Sequence, residues 1–328
     1  MTRGHSPARI LQRLEGSLAA RDEDGRRYAV PVLGNGFNIQ AFSEATPANN
    51  DPWTAATRAI MERLNPADRH RMRRWPGSHQ GQYDVLDDAF EPAERYDQPS
   101  EFQRLLGEGL TSRSELGTGL DLYQNVAAAQ FATILTTNID EAFPALAGAM
   151  RRMPPGIYYA GELYRKSVVR FGNRAQSTEV WQMNGSAAMP AGIRLGIRRH
   201  ADTISDMEML RIELMNSWPR GPRGLEPPDS YARMRGPRPF SWYKMFLVRP
   251  LVFAGSSLDP TDWPMWWLLH QRARILAVFE PRHRPPTFVL TARTDPLPHL
   301  AHSPAGIERV EFPSFDDLWR FFRGVLAS

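Results

Sequence analysis

Four short segments of this 328-residue chain carry small polar side chains, three of them together with glycine. They are Gly34-Asn35-Gly36-Phe37-Asn38, Thr136-Thr137-Asn138-Ile139-Asp140, Asn184-Gly185-Ser186 and Gly255-Ser256-Ser257. Each follows a short apolar run. Glycines in such turns let backbone N–H groups approach a phosphate closely, and a following helix adds the positive end of its dipole. The first segment is not a full G-x-G-x-x-G pattern, because position 39 is Ile. Asp140 reads in two ways, as a ligand-facing carboxylate at the carboxyl end of a buried strand or as the cap of a helix that begins there. The other three also read as plain strand-ending turns, but four of them in one chain favour a ligand site.

The elements that must position these turns follow from periodicity and from Pro/Gly punctuation. Apolar runs predict strands at 28–33, 131–135, 167–171, 180–183, 251–254 and 288–290. Helical patterns fall at 6–20, 119–130, 140–152, 203–217, 262–277 and 314–326, and another starts at Ser100, where Ser100 and Gln103 have capping-box spacing. Strands alternating with helices predict an α/β fold, a Rossmann-like doubly wound parallel sheet. The long polar stretch of about 50–130 is expected to be a helical subdomain inserted into it and roofing the pocket. The expected organisation is an N-terminal helix in 1–26 and a Rossmann domain over 27–328, with a Pro/Arg-rich surface loop at about 218–240.

Composition removes several classes of chemistry. The chain has no cysteine, which excludes disulfides, thiolate nucleophiles and cysteine-based zinc or iron–sulfur sites. A net charge of +4 is mild for this length, so direct nucleic-acid binding is not expected. No apolar run is long enough for a membrane span and no signal-peptide pattern opens the chain, so the expectation is a soluble cytoplasmic protein without a membrane partner. His270, His283, His299 and His302 lack metal-ligand spacing, and no metal is expected. Trp263, Trp266, Trp267 and Leu268 are expected to pack on the sheet. The basic run from Arg69 to Arg74 is expected to be a solvated helical face, and His200, in an Arg-rich segment, a surface residue.

In this order, the four turns resemble the sirtuin family, in particular its bacterial antiphage-defence branch. Sirtuins carry a Gly-Ala-Gly loop, then T-Q-N-I-D, then a His-Gly pair, then G-T-S or G-S-S. The resemblance covers roughly residues 27–328, and the T-T-N-I-D segment is its most specific part. It implies an NAD glycohydrolase that cleaves NAD+ to nicotinamide and ADP-ribose. Gly34, Asn35, Gly36, Phe37, Thr137, Gly185, Gly255, Ser256 and Ser257 would then hold NAD, with Asn138, Asp140 and Asn184 at the catalytic positions. The four-cysteine zinc module of the deacetylases is absent, so the resemblance implies no zinc and no deacylation. Asn184 stands where the family has its catalytic histidine, and asparagine cannot titrate. His200 or Asp140 would be the substitute base, or the chemistry would need only positioning; otherwise the module binds NAD or ADP-ribose without turning it over, as a sensor or scaffold. The resemblance further implies activation through a homo-oligomer or a separate protein of the short-Argonaute or ring-ATPase type. Asn138→Ala is expected to leave the fold intact.

Overall fold

A computed structural model of the chain describes residues 6–45, 52–73, 86, 101–114, 121–146, 168–171, 178–222, 224–229, 242–258, 262–294, 297, 300 and 306–327. It is an α/β fold of Rossmann type. The strands are β1 (Val30–Leu33), β2 (Thr133–Thr136), β3 (Val168–Phe171), β4 (Thr178–Gln182), β5 (Arg220–Gly221), β6 (Gly224–Leu225), β7 (Leu251–Ala254), β8 (Thr287–Ala292) and β9 (Ile307–Phe312). The main sheet has the order β3-β4-β2-β1-β7-β8-β9. The six strands from β4 to β9 in this order pair in parallel, and β3 adds an antiparallel edge strand against β4. Chain order runs outward from β1 through β2 to β4, and then from β7 through β8 to β9. The winding therefore reverses between β1 and β7.

The described helices are α1 (Pro7–Ala19), α2 (Asn35–Ala45), α3 (Pro52–Arg63), α4 (Pro66–Arg73), α5 (Glu101–Ser114), α6 (Asp121–Ala128), α7 (Ala142–Leu146), α8 (Ile197–Ser217), α9 (Trp242–Val248), α10 (Trp263–Leu276) and α11 (Phe315–Ala327). Alternate residues of the inner strands feed two cores, one on each face. Leu33, Ile134, Val252 and Phe288 meet α1, α2, α6 and α11, while Val32, Leu135, Phe253 and Val289 meet α8, α9 and α10. A third cluster joins Ala56, Ile60 and Leu64 of α3 with Phe102, Leu106 and Leu110 of α5, and Ile139 and Ile193 close it. Two of the helices between β1 and β2, α3 and α5, thus pack against Ile139, just past the carboxyl end of β2.

Local chemistry accounts for the ends of the helices. Asp262 caps α10, its carboxylate accepting from the Met265 N–H at 3.3 Å, and Ser314 caps α11 by accepting from the Asp317 N–H at 3.2 Å. Arg13 of α1 grips Glu308 of β9 through both carboxylate oxygens, each at 2.6 Å. Among the described residues, no helix is long and apolar enough to cross a membrane.

Several expectations change. β9 has no counterpart in the sequence reading, because its Ile-Glu-Arg-Val-Glu-Phe pattern buries only Val310 and Phe312. The 218–240 stretch is not wholly a surface loop. Trp218 is buried, stacks on Phe279 with ring centroids 5.7 Å apart, and donates to the Glu226 carbonyl at 2.8 Å. The basic run is not simply solvated, since Arg69 is half-buried and its Nη2 donates to the Glu62 and Leu64 carbonyls at the end of α3. Gln103 Nε2 reaches across to the Ile193 carbonyl at 2.7 Å, while Ser100, the other half of the expected capping box, lies outside the described residues. Trp266, Trp267 and Leu268 pack on the sheet, but Trp263 is 53% exposed.

Candidate functional site

Because the inner strands are parallel, all four polar turns emerge at one edge of the sheet, and the strands they follow, β4, β2, β1 and β7, are consecutive neighbours. The turn after β1 meets the turn after β7 backbone to backbone. Gly34 N–H donates to the Ala254 carbonyl at 3.1 Å and Gly36 N–H to the Gly255 carbonyl at 2.7 Å. A side chain on Gly34 would place its Cβ 2.5 Å from the Gly255 oxygen. Gly255 itself has φ +68°, a conformation that disfavours any side chain. These glycines are therefore required by the contact between the turns before any ligand is considered.

Beyond Gly255, the hydroxyl of half-buried Ser256 accepts from the Leu258 N–H at 3.3 Å, which holds Leu258 in a left-handed conformation (φ +45°) with its side chain in the core. Ser257 is exposed. Asn35 opens α2, and its Oδ1 is a buried acceptor without a hydrogen-bond partner among the described residues. Phe37 was expected to line the phosphate side, but its ring is fully buried among Tyr123, Phe143 and Trp319. An apolar ring one turn into α2 packs under the turn, and only its backbone remains beside Gly34 and Gly255.

A buried polar network lies behind this wall. Asn138 Nδ2 donates to the Gly34 carbonyl at 3.1 Å and to Asn38 Oδ1 at 2.8 Å. Asn38 Nδ2 donates to Asp140 Oδ2 at 2.6 Å, and Tyr123 donates its hydroxyl proton to Asn38 Oδ1. Asp140 Oδ1 accepts from the Ala142 N–H at 2.9 Å, so this carboxylate both caps α7 and joins the network. Asn38, Tyr123, Asn138 and Asp140 are all at most 4% exposed. Burial pushes the Asp140 carboxyl above the ordinary carboxylate value, against the opposing hydrogen bonds from Asn38 and Ala142. Burial, with the neighbouring Asp140 charge, likewise pushes the Tyr123 phenol well up. The Asn138 side chain therefore donates to two buried acceptors, each of which has a second donor: the Phe37 N–H at 3.0 Å for the Gly34 carbonyl and the Tyr123 hydroxyl for Asn38 Oδ1.

Asn184 stands at the rim, half-buried. Its Nδ2 donates to the Thr137 carbonyl at 3.1 Å, and its own carbonyl accepts from the Arg194 N–H at 2.9 Å. Thr137 in turn donates its N–H to Leu33 at 3.0 Å. The turn after β4 is tied to the turn after β2 by further bonds. Gln182 Nε2 reaches the Asp140 carbonyl at 2.7 Å, Ala187 N–H reaches the Ile139 carbonyl at 2.6 Å, and Glu141 accepts from Ser186 and from the Ala188 N–H. Gly185, with φ +92°, packs against the Gly192 carbonyl and has no room for a side chain.

The structure thus brings Gly34, Thr137, Asn138, Asp140 and Asn184 into one bonded assembly and sets Gly255 against Gly34. Asn38, Tyr123, Gln182 and Glu141 were not anticipated as site residues. Asn38 closes the first motif and Glu141 directly follows the second, whereas nothing near Tyr123 marks it. His200 is not a surface residue. It is 4% exposed on α8, which begins at Ile197 rather than at 203, and burial lowers its pKa to about 4. A comparison of the chain with models of known protein families found no match, and a comparison with curated proteins found none either.

Proposed function

We propose that this chain is a sirtuin-like NAD glycohydrolase, cleaving NAD+ to nicotinamide and ADP-ribose. The observation that carries the reading is that four polar turns, three with glycine and three with an asparagine amide, end four adjacent strands around the point where the winding reverses. Open α/β sheets bind nucleotides in that crevice. The start of α2 adds backbone N–H groups and the positive end of a helix dipole for a pyrophosphate. Cleavage of the nicotinamide–ribose bond passes through an oxocarbenium-like state, which gains from fixed dipoles and oriented hydroxyls more than from a strong base. Asn138 is the fixed dipole in this reading, and Asn184 flanks it.

Base catalysis is the weak part of the site. Both Asp140 oxygens already accept hydrogen bonds, and an imidazole with a pKa near 4 is a poor base at neutral pH. Turnover would then rest on positioning and be slow until a partner protein or self-assembly completes the site. The test is incubation of the purified chain with NAD+, with chromatography for nicotinamide and ADP-ribose and calorimetry for binding. Product formation supports the reading. Absence of both binding and product rejects it.

The second reading is a module that binds NAD or ADP-ribose without cleaving it. It is favoured by the non-titrating Asn184 amide, already engaged with the Thr137 carbonyl. Binding without product in the same experiment selects it.

A further inference from the structure

We infer that Asp140 and Asn38 are positioning residues that set the amide polarity of Asn138, so that its Oδ1 is presented as an acceptor to a hydroxyl or water of the ligand. The inference rests on the reading of the crevice as an NAD site, and it assigns that site a preference for a hydrogen-bond-donating ligand group.

The argument runs from two backbone groups whose roles cannot change. The Gly34 carbonyl only accepts, so the Asn138 atom at 3.1 Å from it must be Nδ2. The second proton of that amide group points to Asn38 at 2.8 Å, so the Asn38 atom there must be the acceptor Oδ1. Asn38 then has Nδ2 on its other side, 2.6 Å from Asp140, whose Oδ2 must accept. At the far end, the Ala142 N–H only donates, so Asp140 Oδ1 must accept as well. Tyr123 supplies its proton to Asn38 Oδ1, consistent with the same polarity. Each donor meets an acceptor from Gly34 to Ala142, and rotating either amide by 180° creates donor–donor or acceptor–acceptor contacts along the whole line.

What remains is Asn138 Oδ1. Among the described residues no group donates to it, and it is not among the side-chain atoms sealed from solvent without a partner. An acceptor that solvent reaches and that no described group satisfies suits a ligand that brings its own O–H group, as a ribose does. In this arrangement Asp140 reaches the ligand only through Asn38 and Asn138.

The polarity can be reversed and restored by substitution. Asp140→Asn must turn one N–H toward either Asn38 Nδ2 or the Ala142 N–H and so breaks the line. The double variant Asn38→Asp with Asp140→Asn rebuilds it, since the new carboxylate at 38 accepts from Asn138, Tyr123 and the new amide at 140. Two measurements on the purified full chain test this. One is solvent exchange of the Asn138 side-chain NH2 by NMR. The other is calorimetric affinity for NAD+ against an analogue with fluorine in place of the nicotinamide-ribose hydroxyls. In the natural chain the NH2 group is expected to be protected and NAD+ preferred by on the order of tenfold or more. Asp140→Asn should lose both, and the double variant should regain both. Retention of protection and preference in Asp140→Asn overturns the inference. So does a double variant that regains protection without regaining the preference in a natural chain that shows one. If the natural chain binds no NAD+ while protection is lost in Asp140→Asn and regained in the double variant, the polarity line stands and the NAD reading fails.

Discussion

The Cα of Gly34, at the end of β1, is so close to Gly255, at the end of β7, that a methyl group on the first would sit 2.5 Å from the carbonyl oxygen of the second. No rotamer relieves that contact, because the obstacle is backbone. Gly34→Ala should therefore destabilise the chain by about 1–3 kcal/mol through overpacking. Gly255→Ala should cost more, since φ +68° adds a penalty of about 1–2 kcal/mol for any side chain. Gly324→Ala is the contrast: this exposed position in α11 has nothing within 4 Å of an added Cβ, and alanine there should stabilise by up to about 1 kcal/mol. Urea denaturation midpoints of the three variants check the ordering.

On the proposed NAD glycohydrolase reading, Asn184→His places a titrating group at the rim of the site. A histidine there can donate from Nδ1 to the Thr137 carbonyl, as the amide now does, leaving Nε2 as an acceptor. Nicotinamide release should rise on the order of 10²-fold, the lower end of what a general base supplies. An unchanged or slower rate would mean that some other group already fills that role.

His200 predicts a stability that depends on pH. Its folded pKa of about 4 lies below the ordinary 6.5. Between these values the unfolded chain takes up a proton that the folded chain refuses, so stability falls as pH drops from 6.5 toward 4, by about 3 kcal/mol at most. Asp140 acts in the opposite sense, because its raised pKa favours the folded state on the acid side and loses that contribution as pH rises through the folded value. The difference between the natural chain and His200→Gln isolates the histidine, and the variant's unfolding curves should be the flatter with pH over this window.

Arg272 is fully buried in α10, and its guanidinium donates to Thr287 Oγ1 and to the Phe246, Leu247, Pro285 and Pro286 carbonyls at 2.6 to 3.2 Å. Burial pulls its pKa down to about 9. Arg272→Lys keeps a charge but cannot span five acceptors in two directions. It should cost about 3 kcal/mol in denaturant unfolding. A loss under 1 kcal/mol would mean that water or a shifted loop satisfies those carbonyls.

The parallel sheet was readable because its inner strands are continuous apolar runs such as Leu251–Ala254, each closed by glycine or a polar residue. Edge strand β9 alternates charged residues and was missed. So was α9, whose Trp-Tyr-Lys-Met-Phe-Leu-Val sequence is apolar on every side and carries no helical period. At the site, the glycine and amide turns announced themselves by residue type. Tyr123 did not, because its role arises from α6 lying beside α2, a tertiary contact that leaves no local pattern. His200 misled for the same reason: arginine neighbours in sequence suggested solvent, while the helix turned it inward.

The pairing of Val30 with Leu251 also has a consequence for synthesis. One wall of the crevice is made early and the other late, and at about 5–20 residues per second the two are separated by on the order of ten seconds or more on the ribosome. Throughout that interval Gly34 has nothing opposite it. The order of translation itself would delay completion of the crevice until the chain has been made past Gly255.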